Sequence, residues 1–452
     1  MKGFILLFLL PMLSYSFEVS YQLVDISKDN VVAHKASTKP MILASVSKIY
    51  TFNYVLSQLH ENDTFETKIF ISKDAKIKNG FLDGDLLLYS NGDPYITAQN
   101  LISLIYQVKD FGIQKVKGRF IILQKDHWFS DRLSTLGLED QADNPSMGNF
   151  NVEFNRFKVE RGQKTPTPPL DYLKLSNHKM NQPGLKYRLK NKTNSLEHWV
   201  KNTEEGHKNR EDLPARNSLL FSGHYFKYLA SLHALELPEP LIKKSAKQGE
   251  TIATHQSLPL FRLVELGMEY SNNIIAEMLL QKVHPTSPKI AAKKMHQWYQ
   301  DNTGELASTW KNVSLVNGSG ISLNNKSTAN NLSRFLAKII KQKTGKRKMI
   351  SYLSQSGHSG GLKRRLASPK LTHHVYGKTG SLFYVNNLAG YLRGKSGKMY
   401  AFSIFTTDET QRRKLSKPNS KKVNQVRQSA KAYYGKSNEK IDRLLNKWIM
   451  AY

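Results

Sequence analysis

The sequence predicts an α+β protein, and three stretches carry that prediction. Near the start, "SYQLVDISKDNVVAHKA" reads as a strand pair around a polar turn, followed at once by an apolar-periodic helix. In the middle, "DGDLLLYSNGDPYIT" and "VKGRFIILQKDHWF" bracket a helical "AQNLISLIYQVKDFGI" and are punctuated by Gly and Asp. Toward the end, helical periodicity in "SLPLFRLVELGMEYSNNIIAEMLLQKV" and "STANNLSRFLAKIIKQK" gives way to strand patterns in "HHVYGKTGSLF", "VNNLAGYL" and "MYAFSIFTT", the last two joined by "RGKSGK". Helices and strands thus both recur along the chain, with the middle stretch reading as an α/β unit. The interval 151–249 is rich in Lys, Asn and Pro and shows only short apolar runs, so its shape is the least legible, and no internal repeat is found.

The chain opens with "MKGFILLFLLPMLSYSFEVS", one basic residue before a continuous apolar run and then the small residues Ser14 and Ser16. This predicts a secretory signal peptide over 1–16. No later run approaches the ~20 apolar residues of a transmembrane helix. A soluble protein outside the cytoplasm, secreted or periplasmic, is expected. The sequence has no cysteine, which excludes disulfides, a thiol nucleophile and an iron–sulfur site.

Charge is the one unusual feature of the composition: 67 Lys and Arg against 36 Asp and Glu give +31, and removing the leader takes away only Lys2. Such a surface favours polyanions through long-range attraction. Outside the cytoplasm that points to an anionic wall polymer or lipid surface rather than nucleic acid. Runs such as "KQKTGKRK" and "TQRRKLSKPNSKK" read as solvated faces.

In "LASVSKIYTFNYVLSQL", Ile49, Phe52, Leu56 and Leu59 mark one face of a helix that begins near Ser45. Serine is a favoured N-terminal cap, which is the plain reading of Ser45. Lys48, three residues on, lies beside it on the helix surface. A cation at a helix N-terminus opposes the macrodipole, so its amine has a reason to lose its proton; a neutral amine can then deprotonate the hydroxyl.

Two later triplets give the pair meaning: "SNN" at Ser271 to Asn273 and "KTG" at Lys378 to Gly380. Second copies of each pattern occur, at Ser176/Lys179, Ser322/Asn324 and Lys343 to Gly345, and context separates them. Ser176 runs into "MNQPGL", whose proline stops a helix. The first KTG follows a helix in a Lys-rich tail, where Gly345 reads as a C-terminal cap, whereas the second opens into a strand pattern. Ser271 and Asn273 could simply cap the helix of "IIAEMLL". His373 and His374 lack an HExxH pattern or a nearby carboxylate cluster, so no metal is expected. "SGHSGGLKRR" lacks the GK[ST] ending of a phosphate loop.

S-x-x-K with S-x-N and K-T-G is the signature set of β-lactamases and penicillin-binding proteins. The chain resembles the class C low-molecular-mass penicillin-binding proteins, the D-alanyl-D-alanine carboxypeptidase/endopeptidases of the penicillin-binding protein 4 type. The resemblance rests on the triplets together with "DGDLLLYSNGDPYIT", "VKGRFIILQ", "VNGSGIS" and "GKTGSLFYVNNLAGYL", from about residue 19 to 406. It implies a serine β-lactamase/transpeptidase-like core, a five-stranded antiparallel sheet flanked by helices and interrupted by mainly-β inserted domains. The implied division is core over 17–72 and 250–452, with insertions at 73–150 and 151–249.

The resemblance implies a peptidoglycan DD-peptidase with no cofactor, acting on D-Ala-D-Ala ends and D-Ala-diaminopimelate cross-links and acylated by β-lactams. Ser45 would be the nucleophile and Lys48 its base; Ser271 would relay the proton to the leaving amine while Asn273 orients Lys48. Lys378 and Thr379 would bind the substrate carboxylate. Gly380 would let substrate lie against the strand, and the backbone N–H groups of Ser45 and Ser381 would form the oxyanion hole. Asp140 is the candidate for the acidic substrate-binding residue of the second domain. A β-lactamase-like hydrolase and a non-catalytic wall-binding protein are the rival readings; the long interval between Ser45 and Ser271 argues against the first, and the unbroken triplets against the second.

Overall fold

The computed structural model describes residues 17–125, 128–136, 138–180, 185–343, 345–415 and 423–452. The expected signal peptide, Thr344 of the first KTG and the 416–422 part of the basic C-terminal run lie outside the described residues.

The two ends of the chain build one antiparallel sheet. Its order is Ser354–Gln355, Val375–Leu382, Val385–Arg393, Met399–Thr407, Glu18–Asp25 and Asn30–Lys35. Five full strands match the expected sheet, and the two-residue strand Ser354–Gln355 adds a sixth at its edge. That short strand pairs only with Gly377 and Tyr376. Among the described residues, Lys378–Leu382 is therefore paired on one side alone, by Val385–Arg393.

Strand side chains alternate between faces, and this sheet uses both. Ala401 and Phe405 join a core with the helices Lys48–Gln58, Leu260–Glu269, Asn273–Val283, Pro288–Asn302 and Ala329–Ile339. Their neighbours Tyr400, Phe402 and Ile404 face the opposite way, onto Ile441, Leu445, Trp448 and Ile449 of the long C-terminal helix Val423–Ala451. At ~25 cal/mol per Å² of apolar surface removed from water, these two layers supply most of the driving force for the core.

A second sheet stands between the halves, in the order Pro240–Lys243, Phe120–Leu123, Leu86–Ser90, Glu66–Ser72 and Gln248–Gln256. It takes strands from both sides of the interval 73–249, because Glu66–Ser72 pairs antiparallel with Leu86–Ser90 and with Gln248–Gln256. The helix Ala98–Asp110, begun by a Thr97/Asn100 capping box, covers it together with Ser218–Leu232.

The illegible interval contains two small sheets, Arg156–Glu160 with Arg210–Pro214, and Leu173–His178, Glu197–Asn202 and Tyr187–Lys192. Their core is built on Phe157, Tyr172, Tyr187 and Trp199. Ser218–Leu232 serves both units: Leu219 and Phe226 enter the second-sheet core, Leu220 and Phe221 the smaller one. No helix among the described residues is long and apolar enough to cross a membrane.

Candidate active site

Ser45 sits in a single 3-10 turn, Ala44–Ser47, directly before the helix Lys48–Gln58. Neither segment has a side-chain cap, so the capping reading of Ser45 is not realised. Ala44 takes the left-handed φ of 49°, a conformation costly for a residue with a Cβ and common where a turn must present a side chain. The turn is fixed from the sheet: Asn387 Nδ2 donates to the carbonyls of Ile42 at 2.8 Å and Leu43 at 2.9 Å.

Lys48 is fully buried, and its amine reaches Ser45 Oγ at 3.1 Å, Asn273 Oδ1 at 2.7 Å and the Ser319 carbonyl at 2.5 Å. Burial, reinforced by the neighbouring positive Lys378, holds its pKa well below the usual lysine range, against the opposing pull of Glu277 and Asp143. A neutral amine has two N–H groups and one lone pair. The two carbonyl oxygens can only accept, so they take the two N–H groups. The lone pair is left facing the Ser45 hydroxyl, the arrangement a general base needs.

The Ser319 carbonyl is held by a buried carboxylate. Glu277 accepts from the backbone N–H of Gly318 at 3.0 Å and of Ser319 at 2.8 Å. Burial pushes the Glu277 carboxyl up. Gly320 follows with φ of 85°, and a Cβ there would lie 2.1 Å from the Ala44 carbonyl oxygen, so only glycine lets this loop close on the Ser45 turn.

Ser271 and Asn273 flank the start of the helix Asn273–Val283, but neither caps it. Asn272 does, its side chain accepting from Ile275 N at 3.0 Å. Its neighbours are thereby released toward the cleft: Asn273 to Lys48, and Ser271, at φ of 54°, to Lys378. Lys378 Nζ donates to Ser271 Oγ at 2.8 Å and to the Thr379 carbonyl at 2.9 Å. Burial lowers its pKa to about 7.

Gly380 has a packing reason to be glycine besides the one expected. A Cβ there would stand 2.7 Å from the Leu43 carbonyl oxygen, 2.8 Å from Val46 N and 3.1 Å from Ser45 N, so it would strike the backbone of the Ser45 turn. Gly380→Ala is expected to push the Ser45 turn off the strand and slow acylation roughly 10- to 100-fold with little loss of folding. Acylation at an unchanged rate would contradict this close packing. Thr379 is half-buried and Ser381 exposed on the same strand, with Ser381 Oγ donating to Asn386 Oδ1 at 3.3 Å.

Asp140 stands apart from this cluster. Its carboxylate accepts from the backbone N–H of Lys186 at 3.1 Å and of Tyr187 at 3.3 Å. It lines a cavity of about 280 Å³ together with Lys186, Glu211 and Phe383, the last two residues beyond Ser381.

The rival motifs are occupied elsewhere. Ser176 lies within a strand and shares a 2.8 Å hydrogen bond with His198 Nε2, while Lys179 pairs with Glu204 at 2.8 Å. Ser322 Oγ accepts from Asn324 N at 3.2 Å within a turn. The helix before the first KTG ends at Ile339, so Gly345, at φ of 64°, is not its cap. Glu277, Ser319, Gly320 and Asp143, whose carbonyl accepts from Asn273 Nδ2 at 2.8 Å, were not foreseen. "VNGSGIS" was the available signal for the second and third of these.

The sequence matches the model of the D-Ala-D-Ala carboxypeptidase 3 (S13) family over residues 16–178 and 235–427. The chain belongs to this family. It is 25% identical over 422 residues to D-alanyl-D-alanine carboxypeptidase DacB of Haemophilus influenzae, covering 84% of this chain and 83% of the relative. Carboxypeptidase DacB of Mycolicibacterium smegmatis is 27% identical over 180 residues, 37% of this chain and 38% of the relative. Among solved structures, penicillin binding protein 4 of Haemophilus influenzae superposes with TM-score 0.73 at 23% identity, covering 87% of this S13 chain and 90% of the other. A predatory peptidoglycan endopeptidase of Bdellovibrio bacteriovorus gives TM-score 0.54 at 15% identity over 95% and 92%. These likenesses establish the transpeptidase-like fold.

Proposed function

We propose that this S13 serine peptidase is a periplasmic peptidoglycan DD-peptidase with carboxypeptidase and endopeptidase activity, forming an acyl-enzyme on Ser45. The observation that carries the reading is the Lys48 amine, buried and with two carbonyls consuming its N–H groups, so that its lone pair meets the Ser45 hydroxyl. Ser45 attacks the carbonyl of the penultimate D-Ala, and Lys48 takes its proton. The tetrahedral oxyanion is met by the backbone N–H groups of Ser45 and Ser381. Ser271, hydrogen-bonded to Lys378, relays the proton: it gives its own to the leaving amine and takes back the one Lys48 removed from Ser45, which leaves Lys48 neutral. Lys378 and Thr379 bind the carboxylate on the leaving side, and water then releases the acyl group.

Several further points support the reading. The one-sided strand from Lys378 to Leu382 offers an edge on which an extended peptide can add. Asp140, in the cavity next to Phe383, is the proposed acidic contact for substrate. The leader expected over 1–16 supports the periplasm. A Bdellovibrio bacteriovorus endopeptidase of this fold has been captured acylated by penicillin G, which supports β-lactams as covalent ligands here.

The test is digestion of purified muropeptides. Release of D-Ala from monomeric pentapeptides and conversion of cross-linked dimers to monomers are both expected. Dimers left intact while D-Ala is released would remove the endopeptidase half. Binding to intact sacculi is expected to weaken as salt rises, because the exposed cations Lys35, Lys440, Arg443 and Lys447 act through charges screened over ~8 Å at physiological ionic strength. Pelleting with sacculi across a salt series measures this, and salt-independent retention would count against an electrostatic contact.

A further inference from the structure

The geometry around Lys48 depends on which way one amide points. Asn273 turns Oδ1 to the Lys48 amine at 2.7 Å and Nδ2 to the Asp143 carbonyl at 2.8 Å. Rotated by half a turn, it would set an NH2 group against a donor and an oxygen against an oxygen. The Asp143 carbonyl therefore selects the orientation. Yet Asp143 lies in a stretch with no helix or regular strand, between Glu139 and Asn144, in the inserted part of the chain.

That stretch is gripped by a buried arginine from the far side of the insertion. Arg216 Nη1 donates to the Asn144 carbonyl at 2.7 Å, and Nη2 donates to the Glu139 carbonyl. The two carbonyls bracket Asp143. Asn144 adds its own brace, its Nδ2 donating to Ser134 O at 2.7 Å and Leu136 O at 3.0 Å. Arg216 is anchored in turn. Its backbone N–H donates at 2.9 Å to Glu197 Oε2, a fully buried carboxylate that also accepts from Trp199 Nε1 at 2.8 Å and Tyr172 OH at 3.1 Å. Burial and nearby Arg132 push the Arg216 guanidinium down only to about 10, so it stays charged at neutral pH. Burying an arginine is costly unless its donors are used. Here two of them are used on one loop.

We propose that Arg216 is a positioning residue for the acylation step: it holds the Glu139 and Asn144 carbonyls, so that the Asp143 carbonyl fixes the Asn273 amide and thereby the lone pair of Lys48. The inserted unit, remote in sequence from all three motifs, then takes part in setting the base. This rests on the serine-acylation reading, whose own failure would be separate: wild-type protein would take up no penicillin at all.

The test is a double-mutant cycle on the rate of acylation by a fluorescent penicillin, using the whole chain as wild type, Arg216→Met, Asn273→Ala and the pair. Arg216→Met is expected to slow acylation about 10- to 100-fold in the wild-type background. In the Asn273→Ala background it should cost less than about threefold, because residues acting through one another are not additive. The acid limb of the rate profile should also move to lower pH in Arg216→Met, since Lys48 loses an acceptor that favours its charged form. Arg216→Lys, which keeps the charge and can reach one carbonyl, should restore part of the rate. If Arg216→Met is not recovered folded, the cycle is run with Arg216→Lys, with a smaller loss in the wild-type background and none beside Asn273→Ala. Equal losses in both backgrounds, an unmoved acid limb or wild-type acylation by Arg216→Met would overturn the proposal.

Discussion

Ser45→Ala is expected to abolish covalent labelling by penicillin and to lower peptide hydrolysis by on the order of 10³-fold or more, because the proposed acyl bond forms on its hydroxyl. Peptide mapping of labelled wild type should place the adduct on the peptide holding Ser45. An adduct on Ser176 would overturn the assignment, although its hydroxyl is already engaged with His198. Lys48→Ala should be nearly as severe while the fold persists. The Asn273 and Ser319 oxygens that take the amine's two N–H groups can accept but not remove a proton. Residual acylation near the wild-type rate would locate the base elsewhere.

Lys378→Met is expected to lose turnover of substrates with a terminal carboxylate while making the protein more stable at neutral pH. Lys378 is buried, and its pKa falls from 10.5 to about 7 on folding. The unfolded chain therefore holds a proton through this window that the folded chain releases. Stability rises with pH where the unfolded state binds more protons, so wild type should gain stability from about pH 7 to about pH 10. Methionine removes this ionisation and the part of the slope that comes from it. The expected gain at pH 7 is on the order of a few kcal/mol, or several degrees in melting temperature for a core of this size. Thermal scans of both proteins at pH 7 and 9.5 decide it: equal pH slopes would mean that folding does not lower the Lys378 pKa. In wild type, the loss of charge above about pH 7 should also give the alkaline limb of kcat/KM for carboxylate substrates.

The motifs were legible because they are side chains whose identity is their chemistry. Ser45 and Lys48 meet across one turn, and the cleft then recruits Ser271, Asn273 and Lys378. The supports were hidden for the opposite reason. The Ser319 and Asp143 carbonyls are groups that every residue carries, and nothing in a string of letters marks which will be used. Glu277 and Arg216 act on such backbone groups and were equally silent.

The fold divides in a similar way. The terminal strands announced themselves because they are long and apolar on both faces, each face having its own helical layer. Within 151–249 the strands of the two small sheets are five or six residues long, and most of their side chains alternate only weakly between buried and exposed. The helix Ser218–Leu232 lacks a clean apolar stripe because two cores claim opposite sides of it.

The strand Glu18–Asp25 pairs along its whole length with Met399–Thr407, from Glu18 opposite Thr407 to Asp25 opposite Tyr400. The strand Glu18–Asp25 thus waits for a partner about 380 residues later before the central sheet can close. Contacts of such long range are reached slowly, since the loop entropy must be met before any pairing rewards it. Ser45 hangs from that sheet through Asn387, so a nascent chain has the serine but not its oriented turn. A serine peptidase built this way stays inert until its synthesis has passed the last strand of the sheet, with chain connectivity itself as the safeguard.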